Sequence, residues 1–223
     1  MSKNRCLTVQ EESAFRRFFK TRGDWQAVRD WAWMRALLTT GMRISEFSTL
    51  TAGEAMTAFR LGYLFVPAIR RKAEACDLTV HLTGEAAQAF HDLLALHGPG
   101  VSPDAPLVMG RHGQPLGVRS YQLALKQWAV LAGVDGSVSP HWFRHAFAAQ
   151  VVASSSSENP TFVLARLSRL LGHADARSCM RYLTMSRESA TGGQREMVAR
   201  AFPARGVRMT PARLRREFAG VAA

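Results

Sequence analysis

The sequence predicts a mainly α-helical fold with one small antiparallel β-sheet, an α+β arrangement. Two observations predict it. Most of the chain carries apolar residues at helical spacing between capping signals, and one central stretch is rich in β-branched and aromatic residues. The chain has 223 residues, of which 47% are hydrophobic, and it shows no internal repeat. That length is enough for one sizeable core or for one domain with short appendages.

Capping residues place the first two helices. Thr8 followed by Glu11 forms a capping box that begins a helix ending near Lys20. Asp24 caps a second helix, which Gly41 ends. Apolar residues of the second helix recur at helical spacing and are predicted to be core: Trp31, Met34, Leu37 and Leu38.

The central stretch predicts the sheet, and the remainder predicts further helices. Residues 57–71 (TAFRLGYLFVPAIRR) and 77–82 (DLTVHL) favour two or three antiparallel strands, with the basic residues 70–72 at a turn. Pro160 suits the first turn of a helix and follows a polar loop at 154–159. Other helices are predicted over residues 42–50, 85–97, 120–132, 141–152, 176–183 and 210–219.

Charge and cysteine content bound the class of protein. The 29 Lys and Arg against 17 Asp and Glu give a net charge of +12, which favours a polyanionic partner such as nucleic acid. A solvated basic surface or a basic tail is the alternative explanation. Three scattered cysteines without a CxxC pair fit a reducing compartment. Because no apolar run could span a bilayer and the N-terminus lacks a signal peptide, we expect a cytoplasmic protein without membrane contact.

Two clusters of basic residues stand out along the chain. Arg43 lies three positions before Glu46 on one helix face, so it is either a surface arginine paired with its own glutamate or a functional cation. His141, Arg144 and His145 share one side of a later helix. Buried packing and a zinc site are the alternatives there. The HExxH glutamate is missing, since residue 142 is tryptophan, and we therefore predict no metal.

Tyr182 gains meaning only in combination with other residues. A tyrosine phenol, with a pKa of about 10, is a poor nucleophile unless cations stabilise its phenolate, and a tyrosine such as Tyr182, taken alone, is far more often a half-buried core residue than a nucleophile. Two arginines, two histidines, a lysine and a tyrosine can, however, perform phosphodiester transesterification without a cofactor. Guanidinium groups hold the non-bridging oxygens, a lysine protonates the departing oxygen, and the tyrosine forms a covalent intermediate.

Three segments in this order resemble the tyrosine recombinases, the phage integrase family. TGMRISEFSTL (40–50) is similar to the family's first arginine box, which typically has the pattern TG-R-SE-L. HWFRHAFAA (141–149) is similar to the second box, H-x-x-R-H-x-F-A. LLGHADARSCMRYL (170–183) is similar to the closing box, in which the tyrosine follows the histidine by nine residues. The resemblance covers about residues 24–190 and implies a recombinase catalytic domain.

The resemblance implies a phosphate-binding set. Arg43 and Arg144 would clamp the scissile phosphate, and His173 would hydrogen-bond one of its oxygens. Lys72 matches the family's mobile lysine, the general acid toward the leaving 5′ oxygen. It is the only lysine between Lys20 and Lys126, although the surrounding motif is loose and Arg70 or Arg71 are neighbours in register.

The resemblance also implies the covalent chemistry. Tyr182 would attack the phosphate and give a 3′-phosphotyrosyl bond with a free 5′ hydroxyl. His141 would help to move the tyrosine proton and contact the phosphate, and Glu46 would orient the site. His145 matches a family position and is interpreted as structural packing.

The expected organisation has three parts: a short N-terminal helical extension (1–23), the catalytic domain (24–190) and a basic C-terminal tail with a terminal helix (191–223). Family members typically carry an N-terminal DNA-clamping domain, for which residues 1–23 are too few. We therefore expect a minimal recombinase, a fragment of a larger system, or an accessory DNA-binding protein as partner. The other expected partners are double-stranded DNA and further copies of the chain, as a tetramer on DNA. The terminal helix either docks on a neighbouring copy or lies on DNA or on its own domain.

Three functions remain open at this point. The first is a site-specific recombinase that integrates or excises a mobile element. The second is a type IB-like topoisomerase, which shares the chemistry but does not exchange strands between partners. The third is an inactive or accessory DNA-binding relative. The complete set of catalytic residue types favours the first, and the expected location is the cytoplasm, in association with the nucleoid.

Overall fold

A computed structural model describes residues 5–71, 76–82, 84–155 and 160–172. These residues form helices and one two-stranded sheet, as predicted. The elements in chain order are α1 (Val9–Lys20), α2 (Trp25–Thr40), α3 (Ile44–Phe47), α4 (Ala52–Leu61), β1 (Tyr63–Val66), a 3-10 turn (Ala68–Arg70), β2 (Leu78–His81), α5 (Gly84–Ala95), α6 (Val118–Leu131), α7 (Pro140–Ser154) and α8 (Pro160–Leu171).

The predicted caps of the first two helices are confirmed. The Thr8 hydroxyl accepts from the backbone N–H of Glu11, and the Glu11 carboxylate accepts from the backbone N–H of Thr8 at 2.9 Å. The Asp24 carboxylate accepts from the backbone N–H of Ala27, and Gly41 ends α2 in the left-handed conformation with φ 64°. These caps satisfy backbone groups that a helix end otherwise leaves unbonded.

The strand predicted over residues 57–61 is wrong, because these residues belong to α4. Thr51 and Glu54 form a capping box before them, and Gly62 ends the helix with φ 84°. Phe59 is the aromatic residue that favoured a strand, and it is buried as part of the core-facing side of the helix. Burial of that side outweighs the local preference for a strand.

The sheet pairs β1 with β2 in antiparallel register, with Leu64 opposite Val80 and Val66 opposite Leu78. All four of these side chains are buried, and the alternate residues of each strand face outward. The alternation matches the two-residue period of a strand with one buried face. The sheet is joined to the helices through α4 on one side and α8 on the other.

The core is centred on α2, which packs against α1, α5 and α7. Phe15 and Phe19 of α1 belong to the same apolar cluster as Trp33, Met34 and Leu37 of α2, and each of these five side chains is at most 4% exposed. A smaller cluster joins α7 to α8 through Phe147, Val151, Val163, Leu167 and Leu171. This second cluster holds α8 against the C-terminal half of α7.

A buried carboxylate ties α2 to α6. Asp30 is fully buried and accepts hydrogen bonds from Arg29 Nε at 2.8 Å, from Trp33 Nε1 at 2.9 Å and from Trp128 Nε1 at 2.8 Å. Such a charge is tolerated in a core only when it is paired and hydrogen-bonded. Burial raises the pKa of the nearby Tyr121 phenol well above its usual value, and the Asp30 charge adds to that effect while Arg29 opposes it. None of the described helices has the length and apolar character to span a membrane.

Candidate active site

The end of α2 and the start of α3 present Arg43. Gly41 turns the chain out of α2, and Arg43 becomes the residue that caps α3. The backbone N–H of Arg43 donates to Glu46 Oε2 at 2.9 Å, and Arg43 Nη1 donates to Glu46 Oε1 at 2.8 Å. Glu46 is 1% exposed, whereas the Arg43 side chain keeps 26% of its surface exposed. The pairing of Arg43 with its own helix glutamate thus coexists with an accessible guanidinium.

Glu46 is shared between two arginines. Its Oε1 also accepts from Arg71 Nε at 2.9 Å, across 25 positions of the chain. Burial would raise the pKa of the Glu46 carboxyl, but hydrogen bonds from the Arg43 backbone and side chain, with the charge and hydrogen bond of Arg71, hold that pKa below its ordinary value. Glu46 is therefore a carboxylate whose Oε1 accepts hydrogen bonds from two arginine side chains.

Arg71 connects Glu46 to the end of α8. Its Nη2 donates to the carbonyl of Leu171 at 2.9 Å, and its Nη1 donates to the carbonyl of Gly172 at 2.9 Å. Nη1 also donates to the carbonyl of Cys76, five positions further along the chain. The Arg71 side chain is completely buried. Four hydrogen bonds from one buried guanidinium join three distant segments of the chain.

Arg144 reaches the same end of α8 from α7. Its Nη2 donates to the carbonyl of Leu171 at 3.0 Å, and its Nη1 donates to the carbonyl of Gly41 at 2.7 Å. Arg144 is 2% exposed. The carbonyl of Leu171 thus accepts from both Arg71 and Arg144, and the carbonyl of Gly41 links Arg144 to the turn that leads to Arg43.

Packing reinforces the contact between the first and second boxes. A Cβ added to Gly41 would overlap Cδ1 of Phe147, so the ring of Phe147 occupies the space beside the glycine. Phe147 lies one helical turn after Arg144 on α7. The close approach and the left-handed φ of Gly41 both require glycine at this position.

The two histidines of α7 lie together but differ in exposure. The ring centroids of His141 and His145 are 4.1 Å apart with an interplanar angle of 76°, an edge-to-face contact. His145 is 1% exposed, consistent with its interpretation as packing, and His141 is exposed. His141 therefore presents its ring at the surface near the start of α7, one turn before Arg144.

Four of the seven predicted site residues are among the described residues. Arg43 and Glu46 pair at the start of α3, and Arg144 of α7 reaches the turn before Arg43 through the carbonyl of Gly41. His141 lies at the start of α7, where its ring contacts His145. Lys72, His173 and Tyr182 lie outside the described residues. Arg71 and Gly172, which directly precede Lys72 and His173, are described and touch each other through the Arg71 guanidinium.

Sequence reasoning did not assign a site role to Arg71. Its partners Glu46, Leu171 and Gly172 are 25, 100 and 101 positions away, and no local spacing pattern marks such contacts. Adjacency to Lys72 is the one signal in the sequence that could have drawn attention to it.

Other surface features do not involve this cluster. A groove of about 370 Å³ runs between α4, β1 and the loop at Pro103, and its lining contains none of the seven predicted residues. Among residues 5–71, 76–82, 84–155 and 160–172, no three His, Cys, Asp or Glu side chains are close enough to hold a metal ion.

The cluster is suited to binding an anion. Arg43 and Arg71 share the Glu46 carboxylate, and Arg71 and Arg144 share the carbonyl of Leu171 at the end of α8. Arg71 and Arg144 are buried, where charge interacts more strongly than in water. Arg43 keeps its guanidinium partly exposed, in a position to donate charge-assisted hydrogen bonds to a phosphate.

Comparison with known proteins identifies the family. Residues 5–189 match the model of the Phage integrase family, and the chain belongs to that family. The chain is 32% identical over 152 residues to the tyrosine recombinase XerC of Neisseria meningitidis serogroup C, covering 68% of this chain and 46% of that protein. It is 31% identical over 153 residues to XerC of Methylobacterium sp. strain 4-46, covering 69% and 44%. The chain thus spans about half the length of these relatives.

Solved structures share the fold. The XerA recombinase superposes with a TM-score of 0.63 at 18% identity, covering 84% of this chain and 64% of that chain. The Tn1549 transposon integrase in complex with circular intermediate DNA superposes with a TM-score of 0.66 at 18% identity, covering 82% and 63%. The fold class predicted from the sequence is therefore confirmed as that of tyrosine recombinase catalytic domains.

Proposed function

We propose that this chain is a site-specific DNA recombinase that cuts and rejoins DNA through Tyr182. The observation that carries the proposal is a network within a chain of the phage integrase family: Glu46 pairs with Arg43 and Arg71, and Arg71 and Arg144 share the carbonyl of Leu171 at the end of α8. In this arrangement the segments of the first two boxes meet at the carbonyl of Gly41, and Arg144 contacts the start of the closing box at the carbonyl of Leu171.

In the proposed reaction, Tyr182 Oη attacks the scissile phosphorus. The new phosphorus–Oη bond forms as the bond from phosphorus to the 5′ oxygen breaks. The tyrosine proton passes toward His141, and Lys72 gives a proton to the departing 5′ oxygen. One phosphodiester replaces another, so no external energy source enters. A 5′ hydroxyl from a second strand then reverses the step and releases Tyr182.

Arg43 and Arg144 have the proposed role of stabilising the charge on the non-bridging oxygens, with His173 as a further donor. Donors that are held in place before reaction lower the barrier most, because they do not reorganise as charge develops. Arg144 is held in place before the reaction by its hydrogen bonds to the carbonyls of Gly41 and Leu171, and Arg43 by its bonds to Glu46.

The wider biological role is also part of the proposal. The Tn1549 integrase and XerH structures are complexes with DNA, and the net charge of +12 favours the same partner for this chain. We propose integration or excision of a mobile element, with several copies assembled on double-stranded DNA as a tetramer. An accessory DNA-binding protein is the proposed source of additional DNA grip. The proposed location is the cytoplasm, on the nucleoid.

Covalent trapping tests the function directly. The wild-type chain and its Tyr182→Phe variant are incubated with nicked duplexes from the DNA that flanks the gene, and denaturing gels separate protein–DNA adducts. We expect an adduct from the wild type and none from Tyr182→Phe, which lacks the nucleophile but retains DNA binding. Tyr63→Phe is the matched control, since Tyr63 is an exposed residue of β1, and it should form the adduct at the wild-type rate.

The alternative functions give different results in the same experiment. An adduct that persists in Tyr182→Phe contradicts the nucleophile assignment. DNA binding without any adduct supports an accessory DNA-binding relative. Relaxation of supercoiled plasmid without strand exchange supports a topoisomerase.

A further inference from the structure

We propose that Arg71 is a positioning residue for strand cleavage: its hydrogen-bonded guanidinium holds in place the backbone that directly precedes Lys72, the proposed general acid. The inference rests on the proposed function, because it takes Lys72 as the acid that protonates the 5′ oxygen. It assigns no contact between Arg71 and DNA.

The hydrogen bonds of Arg71 leave no free edge for a phosphate. A guanidinium has five N–H donors, and bidentate binding of an oxyanion needs two that are parallel on one edge. Nε donates to Glu46, Nη1 donates to the carbonyls of Cys76 and Gly172, and Nη2 donates to the carbonyl of Leu171. Its side chain is fully buried as well. Arg71 therefore acts on the fold and not on the substrate.

The neighbouring arginine shows that this anchoring is specific to residue 71. Arg70 precedes it in the 3-10 turn, pairs with Glu54 of α4 and keeps 30% of its side chain exposed. Two adjacent arginines thus point to different partners, one at the surface and one in the interior.

Space for the Arg71 guanidinium is built into the closing box. Gly172 has φ 57°, and a Cβ at this position would overlap Nη1 of Arg71. Any other residue would combine the strain of the left-handed conformation with a steric clash. The glycine of the LLGH motif and the buried arginine before Lys72 are therefore structurally matched.

The consequence for Lys72 is geometric. A lysine has a flexible four-carbon stem, so the position of its ammonium depends on where its backbone is held. Arg71 is the residue directly before Lys72. It is hydrogen-bonded to Glu46, which also pairs with Arg43, and to the carbonyl of Leu171, which also accepts from Arg144. A shift of about 1 Å in a catalytic group can slow a reaction by about 10²-fold.

The test compares two leaving groups. Single-turnover cleavage at saturating protein is measured with a nicked duplex that has the natural 5′ oxygen and with one that has sulfur at this bridging position. A thiol has a pKa of about 8.5, so a thiolate leaves without help from an acid. If Arg71 acts through Lys72, Arg71→Ala should cut the natural duplex about ten- to a hundredfold more slowly than wild type, yet cut the sulfur duplex at roughly the wild-type rate.

Two controls separate positioning from general damage. Arg70→Ala removes the adjacent surface arginine and should cut both duplexes at the wild-type rate. The DNA dissociation constant of Arg71→Ala should stay within roughly twofold of wild type, since Arg71 contributes no phosphate contact. If Arg71→Ala fails to fold, Arg71→Lys is the second variant, because it keeps the buried charge but loses the directed N–H donors of the guanidinium. It should slow cleavage of the natural duplex less than Arg71→Ala does and leave the sulfur duplex at the wild-type rate.

Each remaining outcome is decisive. Where the wild-type chain cleaves both duplexes, equal slowing of Arg71→Ala on the natural and the sulfur duplex overturns the role of Arg71. Cleavage of the natural duplex by Arg71→Ala at the wild-type rate overturns it as well. A wild-type chain that forms no adduct with either duplex overturns the proposed function, and the role of Arg71 with it.

Discussion

At the scale of single residues, the feature with the clearest electrostatic consequence is the buried Glu46 carboxylate. One buried carboxylate pairs with Arg43, the residue that begins its own helix, and with Arg71 from the connection between β1 and β2. Removing such a partner leaves charge buried without compensation, which costs more than the pair itself contributes. Glu46 therefore supports both the site and the stability of the fold.

The lowered pKa of Glu46 predicts how stability depends on pH. The ionised carboxylate stabilises the folded state fully above its unfolded pKa of about 4.3, and this contribution is lost as the pH falls through the lower folded pKa. Thermal unfolding of wild type and Glu46→Gln should differ most at neutral pH, and the difference should shrink below about pH 4.3. A difference that stays constant down to pH 3 would contradict the ionised state of Glu46.

Arg144 should affect cleavage far more than DNA affinity. Loss of one preorganised donor typically slows a reaction by about 10²–10³-fold, or about 2.7–4 kcal/mol. We expect Arg144→Ala to show a loss of this order in single-turnover cleavage. It also leaves the carbonyls of Gly41 and Leu171 without this donor, so its urea unfolding is measured in parallel. A folded Arg144→Ala protein that cleaves at the wild-type rate would remove Arg144 from the site.

At the scale of elements, the end of α2 determines how α3 and α7 meet. Gly41 and Gly62 both end helices with positive φ, at 64° and 84°. A Cβ on Gly41 would overlap the Phe147 ring, whereas a Cβ on Gly62 would meet no atom within 4 Å. The two glycines therefore form a natural pair for comparison.

Gly41→Ala should destabilise the protein more than Gly62→Ala. Both variants carry the left-handed strain of about 1–2 kcal/mol, and Gly41→Ala adds overpacking of about 1–3 kcal/mol against Phe147. Urea unfolding measures both free energies. Equal losses in the two variants would mean that Phe147 moves aside without cost.

The elements that the sequence predicted correctly are those with local signals. Thr8, Asp24 and Gly41 mark helix ends by their own chemistry, and the structure places them there. The strand predicted over residues 57–61 rested on composition alone, whereas the capping box of Thr51 and Glu54 marks the start of the helix that forms there. Helix caps here were more informative than the composition of the segments between them.

The residue types of the candidate site could be predicted from the sequence, but the hydrogen bonds that connect them could not. Arg43, Glu46, His141 and Arg144 follow from motif spacing. The shared acceptors do not, because the carbonyls of Gly41 and Leu171 come from the backbone and any residue type supplies one. The role of Arg71 depends on packing between segments about a hundred positions apart.

At the scale of the whole molecule, the net charge of +12 predicts salt-sensitive DNA binding. A protein that contacts roughly six to ten phosphates loses about 10³–10⁵-fold in affinity between 50 and 200 mM salt, because each neutralised phosphate releases counterions. Fluorescence anisotropy with a labelled duplex should show a steep linear fall of log affinity with log salt. A flat response would contradict a binding surface made mainly of phosphate contacts.

The acceptors around the end of α8 have a consequence for mutational tolerance. The oxygens of Gly41, Leu171 and Gly172 that accept from Arg71 and Arg144 belong to the peptide backbone, so no exchange of side chains at those positions deletes them. The donors have no such protection, since each arginine is lost through a single codon change. Mutations that break this network should therefore fall on the arginines. The backbone carbonyls can be weakened as acceptors only by chemical synthesis, in which an ester replaces the amide.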